Sequence, residues 1–172
     1  WLNRTSEFSK SMGFLSSISY LFGSVDTSPS AILFDKVSGS VTFTKFAVSG
    51  NEEPVPFRMT KMIETTFGTC GYNGPFKETL QSSLNTIKNF SKALGMCLYF
   101  FVGKAPFLKT EIPSQLLSNF VAFNSGNPEL DKLYQRISCG DNLLEDLVDE
   151  LIQNAKFIEN QAQMPGYWLP WW

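Results

Sequence analysis

Val41-Thr42-Phe43-Thr44-Lys45-Phe46-Ala47-Val48 alternates in steps of two, with Thr42, Thr44, Phe46 and Val48 on one side and Val41, Phe43, Lys45 and Ala47 on the other. A two-residue period carried by β-branched and aromatic side chains is the pattern of a strand. Ala31 to Val37 has the same character, and Ser38-Gly39-Ser40 between the two runs is a hairpin connection. Working outward, Phe57 to Phe67 is a further strand candidate. Gly68-Thr69-Cys70-Gly71-Tyr72-Asn73-Gly74-Pro75 then makes a sharp turn. From Phe76 the period becomes helical, with Leu80, Leu84, Ile87, Leu94, Leu98 and Phe101 on one stripe. Strands followed by helices predict an α+β fold, a small antiparallel sheet packed against amphipathic helices in a single domain with hydrophobic terminal arms.

The C-terminal half holds further apolar elements. Leu116, Leu117, Phe120, Val121 and Phe123 form a short apolar element, and Asn127-Pro128 reads as a cap and first helical residue. Asn142 and Glu145 have capping-box spacing ahead of Leu143, Leu144, Leu147, Val148, Leu151, Ile152, Ala155 and Ile158, one face of about five turns. Asp146, Asp149 and Glu150 lie opposite. The stretch 93–102 fits either a helix or a buried strand, since periodicity alone does not separate them.

Both ends are greasy. Phe8, Met12, Phe14, Leu15, Ile18, Leu21 and Phe22 share a broad helical face, backed by Ser9, Ser11, Gly13, Ser16, Ser17 and Ser19. Such a helix suits a lipid surface, the domain's own core or a neighbouring subunit. Met164 to Trp172 reads Met-Pro-Gly-Tyr-Trp-Leu-Pro-Trp-Trp, where two prolines forbid a regular helix. The division expected is an N-terminal amphipathic arm (1–30), an α+β core (31–163) and a Trp-rich tail (164–172). Trp1, Leu2, Phe8, Phe14, Leu15, Ile18, Phe22, Tyr167, Trp168, Trp171 and Trp172 are the candidates for membrane contact or self-association.

Composition narrows the chemistry. The chain has no histidine, which removes the usual general base and the commonest zinc ligand. Cys70, Cys97 and Cys139 are isolated, so neither a disulfide framework nor a structural zinc site is expected. The Gly-rich turn lacks both G-x-G-x-x-G and a Gly-Lys-Ser/Thr ending. No catalytic residue, metal or cofactor is assigned, and a non-enzyme without a small-molecule substrate is expected. Sixteen phenylalanines fit a Phe-rich core, while 17% charged residues leave much apolar surface to hide. No apolar run is long enough to cross a bilayer as a helix, and the start of the chain lacks a signal-peptide pattern.

Charge is segregated. Arg58, Lys61, Lys77, Lys88, Lys92, Lys104 and Lys109 face only Glu64 and Glu78 within their segment, whereas from Thr110 onward nine acids outnumber three bases. The bases are candidates for contact with a nucleocapsid or another acidic partner. Asp146, Asp149 and Glu150 form a candidate acidic face between subunits.

The segment 59–109 resembles the core of rhabdovirus matrix proteins. The likeness lies in Thr69-Cys70-Gly71-Tyr72-Asn73-Gly74-Pro75-Phe76, the helix from Leu80 to Phe90, the apolar stretch Ala93 to Val102, and Gly103-Lys104-Ala105-Pro106-Phe107. The lysine-rich arm and proline-rich tyrosine motif of the animal-virus members are absent, so a plant- or invertebrate-virus type fits better. The resemblance implies a virion structural protein in the host cytoplasm, peripheral to internal membranes. It would self-assemble into a helical layer and bridge a nucleoprotein–RNA complex to a lipid membrane or outer layer. A cellular non-catalytic subunit of a large complex is the alternative, and an unrecognised enzyme the third.

Overall fold

A computed structural model of the chain describes residues 1–22, 28, 30–44, 55–91, 93–94, 97, 136, 144–164 and 166. Within them the order is α1 (Leu2–Phe22), β1 (Ile32–Phe34), β2 (Val41–Phe43), α2 (Lys61–Thr66), α3 (Pro75–Asn89), α4 (Leu144–Lys156) and α5 (Ile158–Ala162). The fold is α+β, mostly helical, with one two-stranded antiparallel sheet. The second half of the strand at 45–48, Leu98 and Phe101 of the helical stripe, the elements read at 112–124 and 127–137 apart from Arg136, the Asn142 cap and Cys139 lie outside the described residues.

The hairpin forms where its period and turn residues place it. Ile32 pairs with Phe43, Leu33 with Thr42 and Phe34 with Val41. Asp35 organises the connection: its carboxylate accepts from the Val37 and Ser38 amides at 2.9 and 3.2 Å and from the Ser38 hydroxyl at 2.5 Å. Those bonds, the Ser38 hydroxyl foremost, hold its carboxyl below the usual aspartate range. Gly39 sits at φ +89°, and a Cβ there would lie 2.6 Å from the Arg4 carbonyl oxygen. Only glycine fits that turn under α1.

Phenylalanine builds the centre. Phe67 stacks on Phe76 at 4.8 Å between centroids, Phe57 tilts against Phe76 at 6.0 Å, and Phe8 bridges Phe67 to Phe34. Phe76, Leu80 and Leu84 of α3 join Met12 and Leu15 of α1 with Val148, Leu151, Ile152 and Ala155 of α4. Each fully buried large side chain contributes about 1.5–3 kcal/mol relative to exposure.

Three expectations need correction. First, α1 does not place its serines outward: Ser9, Ser16, Ser17 and Ser19 are buried, whereas Phe14 is 51% exposed. Small residues let α1 approach α3 closely, and a Cβ on Gly13 would stand 2.6 Å from the Phe76 carbonyl oxygen. Ser9 and Ser17 donate back to the Thr5 and Phe14 carbonyls at 2.8 and 2.6 Å, which removes most of the cost of burying them.

Second, Phe57 to Phe67 is not a strand. Phe57, Arg58, Met59 and Thr60 are all buried, so the segment threads the core without alternating. From Lys61 the chain is helical, supported by a Lys61–Glu64 pair at 3.1 Å. Third, the long C-terminal helix breaks at Phe157, which is extended at φ −66° and ψ 117°, and Ile158 points to solvent.

Candidate functional site

Among the described residues, two places gather polar and charged side chains or backbone groups: the seam under α4 and the base of the hairpin. At the seam, Lys77 of α3 reaches Asp149 of α4 at 2.5 Å. This bond raises the lysine above its ordinary value against a small opposing effect of burial. Lys156, at the end of α4, pairs with Glu64 at 2.6 Å and lies 4.1 Å above the Tyr72 ring. Burial pushes Glu64 up, but the bonds from Lys156 and Lys61 outweigh it, and its carboxyl settles below the usual range. Behind this pair, the Gln161 side-chain amide donates to the Met59 carbonyl at 2.7 Å and the Ala155 carbonyl at 2.6 Å. Gln161 is 4% exposed, and it fastens α5 to the segment threading the core.

The seam changes the meaning of the segregated charges. Lys77 meets Asp149 inside one chain, where a contact between subunits was expected. Asp146 and Glu150 remain exposed on the outer side of α4, and Lys61 is exposed on α2. Arg58 is buried and Lys88 is half-buried. Lys92, Lys104 and Lys109 lie outside the described residues, as do Tyr167, Trp168, Trp171 and Trp172.

Nor do the α1 candidates make one apolar surface. Leu15 is in the core, Phe8 packs against it, and Ile18 and Phe22 are half-buried. Trp1, Leu2 and Phe14 are exposed. Trp1 and Leu2 border a cavity of about 320 Å³ shared with Thr5, Phe67, Cys70 and Pro75. Cys70 is exposed beside it, close to Gly74, where a Cβ would meet the Cys70 Cβ at 2.9 Å.

The base of the hairpin went unnoticed in the sequence. Ala31 is fully buried, and its carbonyl accepts from both the amide and the hydroxyl of Thr44, at 2.9 and 3.2 Å. The Ala31 amide in turn donates to the Ser28 carbonyl at 2.9 Å. The segment before β1 and the segment leaving β2 are thereby joined. No group of three or more His, Cys, Asp or Glu converges to hold a metal among the described residues.

Comparison with known proteins gives a consistent direction. No protein-family model matches the chain. It is 26% identical to the serine/threonine-protein kinase MEC1 of Eremothecium gossypii over an alignment covering all of this chain and 7% of that protein. It is 27% identical to the serine/threonine-protein kinase TOR of Oryza sativa subsp. japonica, over 59% of this chain and 4% of that protein. Among solved structures, the one described as the FAT and kinase domain of CtTel1 superposes with a TM-score of 0.78 at 19% identity, covering the whole chain and 12% of the other. The chain therefore spans a small part of the relatives it matches.

These likenesses overturn the viral reading. The proteins it resembles are kinases of cellular organisms, and the similarity is to them, not to rhabdovirus matrix proteins. The 59–109 pattern is a glycine turn into an amphipathic helix, a combination that physics repeats in unrelated folds. The virion location, the nucleoprotein–RNA partner, the self-assembling layer and the membrane bridge rested on that resemblance and fall with it.

Proposed function

We propose that this chain is a piece of the kinase-bearing region of a large protein of the TOR, MEC1 and Tel1 kind, and that it serves there as structural support. The carrying observation is coverage: the chain aligns end to end with MEC1 and superposes end to end on CtTel1, while accounting for 7% of MEC1 and 12% of the CtTel1 piece. The α1–α3 crossing and the seam under α4 tie distant segments into one body. That suits a part whose work is to hold others in place. It agrees with the alternative drawn from composition, a cellular non-catalytic component of a large assembly.

The test is the size of the native product. An antibody raised against the α3 sequence should detect, in denatured extracts, a polypeptide several times longer than 172 residues. A native product of 172 residues, with no longer form in the transcript, would overturn the reading.

A further inference from the structure

We infer that the kinase-like region containing this chain has lost its divalent-metal site and does not transfer phosphate. This inference rests on the reading above and concerns a different property of it.

Protein kinases hold two magnesium ions between the Asn of the catalytic loop and the Asp of Asp-Phe-Gly, and the Asp that accepts the substrate proton stands five residues before that Asn. Ligands that share metal ions must converge in space, however far apart they lie in sequence. Here Asp26-Thr27-Ser28-Pro29-Ser30-Ala31 keeps the spacing from Asp26 but ends in alanine. Lys45-Phe46-Ala47 keeps the central phenylalanine, with lysine in place of the aspartate and alanine in place of the glycine. The structure joins the last residue of the first segment to the residue before the second, because Thr44 donates both its amide and its hydroxyl to the Ala31 carbonyl.

The residue types in these two segments do not fit a metal. Magnesium is held by oxygen ligands in near-octahedral geometry, usually through carboxylates. The Ala31 side chain is a methyl group, fully buried. Lysine brings a positive charge where the ligand should bring a negative one, and like charges repel. The chain contains neither an Asp-Phe-Gly elsewhere nor any histidine for an His-Arg-Asp motif. What remains is the framework that would carry the ligands, without the ligands.

The experiment uses the full-length native polypeptide. ATP binding is followed with a fluorescent ATP analogue, with magnesium and with EDTA, and phosphate transfer to a serine/threonine peptide is followed in parallel. Magnesium should change the ATP affinity by less than about twofold, equivalent to about 0.4 kcal/mol, and transfer should equal the EDTA control. Transfer that persists unchanged in the Asp26→Asn variant comes from a copurifying kinase. With metal-indifferent ATP binding it leaves the inference standing. Magnesium-dependent transfer abolished by Asp26→Asn, or ATP binding tightened about tenfold by magnesium, overturns it. Either result would leave the kinase-region reading intact; that reading fails on the size of the native product instead.

Discussion

A Cβ placed on Gly13 would stand 2.6 Å from the carbonyl oxygen of Phe76, closer than a Cβ approaches another heavy atom in folded proteins. The contact is with backbone, so no side chain can turn aside. Alanine normally favours a helix over glycine by about 1 kcal/mol. Overpacking a tight contact costs about 1–3 kcal/mol. Gly13→Ala should therefore destabilise the fold by up to about 2 kcal/mol in spite of its helix propensity. Denaturant unfolding monitored by circular dichroism measures this, and an unchanged or higher midpoint would show that α1 and α3 can part at little cost.

Gln161→Leu keeps the volume of the side chain but removes the donor to the Met59 and Ala155 carbonyls. Leaving buried acceptors without this partner costs about 1–3 kcal/mol. The loss should concentrate on α4 and α5, seen as faster amide exchange there than in α1 and α3. Uniform acceleration across all the helices would mean that the amide has no local role.

Acid should open the seam through Glu64. Its folded-state value is held below the ordinary glutamate value of 4.5, so the stabilisation is present above that value and is lost as pH falls through the depressed one. Glu64→Gln should lower stability at neutral pH and flatten the decline below about pH 4.5. Parallel pH profiles for variant and parent would assign the acid sensitivity to another carboxylate.

The Lys77–Asp149 pair has the opposite pH dependence. Lys77 is raised above 10.5, so its contribution is full below that value and disappears as pH climbs through the raised one. Asp149 is half open to solvent, which screens the pair. A double-mutant cycle with Lys77→Ala and Asp149→Ala should give a coupling of about 0.2–1 kcal/mol. Additive losses would show that the two charges act independently.

How much of this was legible in the sequence depended on where each signal resides. The hairpin could be read because Thr42, Thr44, Val41 and Phe43 state a period of two, and Gly39 supplies the positive φ its turn requires. The start of α3 could be read to within one residue because the period turns helical at Phe76, straight after the glycine-rich turn, and the helix begins at Pro75. The buried side of α1 could not: a polar label on Ser9 and Ser17 hides the fact that each hydroxyl satisfies itself on its own helix. The break at Phe157 escaped because the bond that favours it, from Gln161 to Met59, joins residues 102 apart. The likeness to kinases escaped for a chemical reason. A search for reacting side chains stops short of Ala31 and Lys45, whose part in the likeness we infer from spacing alone.

The Gln161 bond has a further consequence for biosynthesis. A helix whose anchor is laid down 102 residues earlier cannot seat until nearly the entire segment has left the ribosome. Until then Val148, Leu151 and Ile152 have not arrived, and Phe76 and Leu80 await their covering. A message cut short before α4 would yield a polypeptide with its apolar centre open to water, a natural target for chaperones and proteases. Within this stretch, α4 and α5 thus close a core that the residues from Met12 to Leu84 open.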